Sequence, residues 1–285
     1  MAETEVRIDE HITQHTKAGN RWYQVDNAQH HSPDDKLWSV TTILSKLYPK
    51  PFLTAYNQKQ FAMLLLEELG IDMPYENTLK AKYSKYSDDE RPDRIQFTFD
   101  GLLGDVLTRV RNGVGGDAKQ KAEWGTQAHD IIAKYLKGEQ VEEILFDVDD
   151  PVRNSVRSFQ NWHNNEGKDF QVFSNLVEKT IYHPTVRYAG TADAIFADKK
   201  TGKMSIVDWK TGFVGKEAEY QVGALASAWN RQHDEDSYIT TGYIIELPRD
   251  DRNYKIHPVD RLEELGHAFI TASQWHEELQ RGGNN

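Results

Sequence analysis

The stretch GTADAIFADKKTGKMSIVDWKTG, from Gly190 to Gly212, constrains this chain more than any other. Its two halves are rich in apolar and β-branched residues, and the turn-forming DKKTGK between them predicts a hairpin. Strands usually keep charge at their ends or on a wet face, yet Asp193, Asp208 and Lys210 stand inside these runs. Residues two apart on a strand share a face, so Asp208 and Lys210 point one way and Trp209 the other, into packing. Asp193 lies on the antiparallel neighbour, where cross-strand pairing brings its carboxylate toward that of Asp208. Two such carboxylates repel unless a cation sits between them or one takes up a proton. Hard oxygen ligands of this kind suit Mg²⁺, with Mn²⁺ as a substitute. Lys210 beside them is placed to orient a water or to stabilise charge developing on a phosphate. The bland alternative is an Asp–Lys ion pair at a sheet end, with Asp193 as a turn cap.

The flanking sequence predicts an α/β fold, a central mixed β-sheet flanked by helices, with a helix-rich N-terminal half. RWYQVD and KLWSVTTIL read as short strand pieces, the second turning into a helix stopped by Pro49 and Pro51. Helical patterns cover about Phe52–Leu69, Gly101–Arg111 and Ala122–Leu136, with the glycine-rich RNGVGGD separating the last two. Pro151 opens another helix, to about Asn165. FQVFSNLVEKTIYH, VRYAGTADAIFA, KMSIVDW, SYITTGYIIEL and NYKIHPV then read as strands. KEAEYQVGALASAWNRQ reads as a crossover helix, and about Asp260–Leu279 as a last one. The expected division is residues 1–120 as a helix-rich N-terminal region and 121–285 as the core, the two integrated in one domain.

Composition narrows the function classes. The 285 residues include no cysteine, which removes disulfides, thiol chemistry and a cysteine-bound iron–sulfur cluster. No apolar run approaches a membrane span, and MAETEVRIDEH lacks the pattern of a signal peptide, so a cytoplasmic protein is expected. The glycine–lysine pairs at Gly202 and Gly215 lack the rest of a phosphate-binding loop, and no H-E-x-x-H occurs. The net charge of −11 argues against a protein that coats nucleic acid, but not against a local basic groove.

Several segments, in order, resemble the RecB-like exonuclease branch of the PD-(D/E)xK nucleases. GTADAIF followed by SIVDWKTG resembles that family's core, WGTQAHDII its G-T-x-x-H helix, LVEKTIYH its first core strand, and EYQVGALASAW its glutamine helix. WSVTTIL resembles the P-S-V-T segment of phage-encoded and mitochondrial members. The resemblance implies that Asp193 and Asp208 hold Mg²⁺ with the Trp209 carbonyl, and that Lys210 positions the water. It further implies that His129 ligates metal or touches the scissile region, and that Glu178 binds a second metal or a water. Gln221 would contact the DNA backbone or Lys210, and Thr211 a phosphate. The family's tyrosine after the glutamine is Leu225 here.

DNA with a single-stranded or free end is the partner these readings imply, with no membrane. KAKYSKY interleaves Lys80, Lys82 and Lys85 with Tyr83 and Tyr86, a pattern that can track phosphates and stack bases. With Arg109 and Arg111 it is expected to form an arch admitting a strand. The expected activity is Mg²⁺-dependent exonucleolytic hydrolysis, the alternatives being a structure-specific endonuclease or a binding module of the same fold.

Overall fold

The computed structural model describes residues 3–26, 31–47 and 102–282, with the backbone alone at 47, 102–117 and 279–282. Two compact units are distinguished, Met1–Pro49 with Glu123–Asn285, and Lys50–Ala122. The segment carrying Lys80, Lys82, Tyr83, Lys85 and Tyr86 lies outside the described residues.

The first unit opens with strands β1 (Thr4–Arg7), β2 (Ile12–Lys17), β3 (Asn20–Val25) and β4 (Leu37–Ser39), followed by helix α1 (Val40–Leu47). The helix-rich N-terminal half expected from sequence is therefore corrected: its described front is mostly strand. Adjacent residues are buried together in both strands, Ile12 with Thr13 in β2 and Trp22 with Tyr23 in β3, so neither face of this pair is fully open to solvent. Ala18 and Gly19, at φ 51° and 79°, make the tight two-residue turn between them. β1 gave no sequence signal because all four of its residues are exposed and carry no apolar face.

Helix α2 (Leu102–Leu136) is continuous, where RNGVGGD was expected to divide it. A glycine inside a helix costs about 1 kcal/mol relative to alanine, a penalty the flanking helix formers outweigh. Arg109 and Arg111 fall on its backbone. Short α3 (Glu142–Phe146) and α4 (Asp150–Asn165) follow, α4 with Pro151 in its first turn.

Then come β5 (Phe170–Tyr182), β6 (Tyr188–Asp198), β7 (Met204–Lys210), α5 (Lys216–Asn230), β8 (Ile239–Glu246), β9 (Lys255–Val259) and α6 (Leu262–Gly282). The nine strands form one mixed sheet in the order β1-β2-β3-β4-β6-β7-β8-β9, with β5 also paired to β6. β4–β6 and β7–β8 are the parallel pairs. In the β6–β7 turn Asp198 Oδ1 accepts the N–H groups of Lys200 and Thr201, and Gly202 takes φ 72°.

Both faces are covered, so β6 and β7 read as nearly continuous buried runs. One core joins Ile195 and Ile206 to Val40, Ile43, Val222, Leu225 and Phe269, from α1, α5 and α6. The other joins Phe196, Val207 and Trp209 to Ile132, Leu145 and Phe159, from α2, α3 and α4. Among the described residues no helix is long and apolar enough to cross a membrane.

Candidate functional site

The β6–β7 ladder runs from Ala197–Met204 to Ala194–Val207 and stops there. Just beyond it a side chain takes over as acceptor: Asp193 Oδ2 takes the N–H of Trp209 at 2.8 Å. The Trp209 ring is fully buried and meets Phe159 edge-on, as alternation along the strand requires. Asp208 is likewise buried at the end of the ladder.

Lys210 Nζ lies 2.7 Å from Asp208 Oδ2 and donates to Oδ1 at 3.0 Å. Gln221, on the second turn of α5, donates to Asp208 Oδ1 at 3.1 Å and accepts from Lys210 at 3.4 Å. His129, on α2, places Nδ1 3.4 Å from Asp193 Oδ1. Glu178 lies on β5 between Val177 and Lys179, which pair with Ala194 and Ala192, so it faces Asp193 across the ladder. Ligand atoms of His129, Glu178 and Asp193 all fall within 4.8 Å of one another. Six residues singled out from sequence thus converge at one end of the sheet.

The electrostatics are those of three carboxylates sharing two cationic partners, Lys210 and His129. Burial drives the Asp208 carboxyl up, and Asp193 adds to this while Lys210 opposes it, leaving a pKa of about 6. Burial and then Asp193 push Glu178 to about 7, against the pull of His129. Burial would raise Asp193 too, but His129, Lys210 and the Trp209 N–H outweigh it and hold this carboxyl below its ordinary value. Burial would lower His129 and Lys210; the neighbouring carboxylates win, and both sit above their ordinary values. Glu178 also holds φ at 54°, a left-handed conformation inside a strand that costs about 1–3 kcal/mol. Strain of this kind persists where the surroundings fix a side chain in place.

Thr211 is buried, and its hydroxyl accepts from the Arg249 guanidinium at 3.2 Å. A Cβ on Gly125 of α2 would stand 3.2 Å from the same hydroxyl, so helix and strand end meet closely here. Arg249 was not singled out from sequence, because its neighbourhood depends on the parallel β7–β8 pairing. Leu225, where the resemblance drawn from sequence expects a tyrosine, is buried in the core against Gly190. It faces away from solvent, and its position offers a substrate nothing.

The donor set of two buried carboxylates, a partly exposed one and an imidazole fits a small divalent cation with oxygen preference. The chain matches no protein-family model and no curated protein.

Proposed function

We propose that this protein is a divalent-metal-dependent DNA nuclease, most simply an exonuclease acting on single-stranded ends, built on a PD-(D/E)xK-like core. One observation carries the reading: Asp193, Asp208 and Lys210 meet at a single strand end, with His129 and Glu178 beside them. A plain ion pair explains Asp208 with Lys210, but it does not explain three carboxylates with one imidazole, two of them raised toward neutrality.

Mg²⁺ or Mn²⁺ would be held by Asp193 and Asp208, with His129 and Glu178 as further ligands. When bound, such an ion polarises a phosphodiester and acidifies a water. The chain's own part is positioning. Asp208 and Gln221 hold the Lys210 ammonium from two sides, leaving it an N–H with which to orient a water. Glu178, facing Asp193 across the ladder, would bind that ion or a second one. Asp193 fixes the His129 ring.

The test is hydrolysis of end-labelled linear single-stranded, linear duplex and closed circular single-stranded DNA, with Mg²⁺ and with chelator. Metal-dependent loss of linear strands is expected, abolished in Asp208→Asn and Lys210→Ala and reduced at least about tenfold in His129→Ala. Rapid cutting of the circle would favour an endonuclease of the same chemistry. Turnover unchanged in Asp208→Asn or Lys210→Ala would refute the site.

A further inference from the structure

The loop after β8 is held in a way the core does not require. Four side chains on α4 bind its backbone carbonyls in succession. Asn154 donates to Arg249 O at 2.9 Å, Ser155 to Leu247 O and Pro248 O at 3.2 and 3.3 Å, Ser158 to Asp251 O at 3.2 Å, and Asn161 to Arg252 O at 2.8 Å. At the loop's start the Leu247 N–H donates to Lys210 O at 2.8 Å, fastening it to the strand end that carries the site. Because β7 and β8 are parallel, their C-terminal ends open together, the edge at which α/β sheets bind ligands.

The residue this scaffold presents is Arg249. Its guanidinium donates to Thr211 Oγ1 and lies over Gly212, within 3.6 Å of where a Cβ would be. Next along the chain Phe213 leaves 71% of its surface exposed, a large apolar ring on the loop that leaves Lys210. A chain of net charge −11 must supply cations locally if it is to hold a polyanion.

We propose that Arg249, seated on Thr211, binds a phosphate flanking the reacting one, and that Phe213 stacks on an unpaired base of the same strand. The ligand class is single-stranded nucleic acid. Arginine presents a planar fork suited to phosphate, and an exposed aromatic ring gives sequence-tolerant stacking. The assignment rests on the nuclease reading for its place beside the site, but its binding test does not need catalysis.

The experiment measures anisotropy of a fluorescein-labelled oligothymidylate with the full chain in EDTA, together with metal-dependent hydrolysis of bis(p-nitrophenyl) phosphate, which has no flanking nucleotide. Arg249→Ala is expected to weaken oligonucleotide binding about tenfold or more and to lower the salt slope by about one. Arg249→Lys should keep the salt slope and recover part of the affinity. Phe213→Ala should weaken single strands about fivefold or more and leave duplex unchanged. Asn154→Ala, which frees the loop without removing charge, should weaken binding at an unchanged salt slope. Metal-dependent hydrolysis of the small diester by the wild type is expected, and it reports the reacting centre apart from strand binding. Binding within twofold of wild type in both, or a wild type that binds no oligonucleotide, would overturn the proposal. A wild type that binds the oligonucleotide through these residues but hydrolyses neither substrate would sustain the binding assignment and refute the nuclease reading.

Discussion

The carboxylate of Asp193 accepts the backbone N–H of Trp209 at 2.8 Å, where the β6–β7 ladder ends. One side chain therefore does two jobs, completing the sheet and pairing with His129. The two separate on substitution. Asparagine keeps an oxygen for the Trp209 N–H but loses the charge, whereas alanine leaves a buried donor unpaired, which costs about 1–3 kcal/mol. Asp193→Asn is expected to melt well above Asp193→Ala, and neither should gain the thermal stabilisation that Mn²⁺ gives the wild type through linkage. Melting curves with and without Mn²⁺ check this; equal melting temperatures for the two variants would show that the ladder bond contributes nothing.

Glu178 makes the site costly to fold without metal. Its pKa is raised from an ordinary 4.5 to about 7, so the folded state holds this proton more tightly than the unfolded chain. The associated stability is fully present below about 4.5 and is lost as pH rises toward 7. Glu178→Gln removes the titration. At pH 8 in EDTA it should be about 1–2 kcal/mol more stable than wild type, allowing for partial solvent screening, and the advantage should vanish at pH 4.5. Metal binding competes with the same proton, so wild-type Mn²⁺ affinity should climb between pH 5 and about 7. Calorimetric titrations across that range provide the measurement.

The site was legible because its chemistry is local in sequence, whereas the groups around it are not. Asp208, Lys210 and the turn at Asp198 sit within one hairpin whose period of two fixes faces, and Pro151 marks a helix start through its fixed φ. At the front of the chain RWYQVD and KLWSVTTIL mark β3 and β4, but β1 buries nothing and β2, ITQHTK, has a single apolar residue, so neither is legible locally, and the parallel partner of β4 is β6, some 150 residues away in sequence. Local propensity carries no trace of such a partner. The continuity of α2 is hidden for the converse reason, since each glycine is a weak local break that a long helix absorbs. Arg249 reaches Thr211 only through the parallel pairing of β8 with β7, which no local pattern encodes.

Away from the site, His183 should set acid sensitivity. It is buried, and its Nδ1 accepts the N–H groups of Val186 at 3.1 Å and Thr185 at 3.3 Å, which requires the neutral ring. Burial first, then Arg231 and His31, lower its pKa to about 4. A depressed base holds its proton less tightly when folded, so its stability is complete above about 6.5 and is lost as pH falls toward 4. Wild type should lose about 1–2 kcal/mol over that window from this residue. His183→Asn, whose amide oxygen can accept in place of Nδ1, should flatten that part of the profile. A variant as acid-sensitive as wild type would move the effect elsewhere.

Gly223 ties the packing of the fold to the order of the site. A helix interior disfavours glycine by about 1 kcal/mol against alanine, so its place in the middle of α5 calls for a steric reason. A Cβ there would lie 2.5 Å from Leu265 Cβ and 3.0 Å from the backbone nitrogen of Gly266, both on α6. Neither atom is the end of a flexible side chain, so the helices must separate. Gly266 answers in kind, its own Cβ falling 2.8 Å from Ser227 Cβ and 3.0 Å from Gly223 O. Gly223→Ala is therefore expected to destabilise by about 1–3 kcal/mol despite its better helix propensity. Because α5 also carries Gln221, the shift should loosen the hold on Asp208 and Lys210. Turnover should then fall with little change in substrate affinity, toward the level of Gln221→Ala. Denaturant titration with steady-state kinetics measures both effects, and a Gly223→Ala variant as stable as wild type would refute the close packing of α5 on α6.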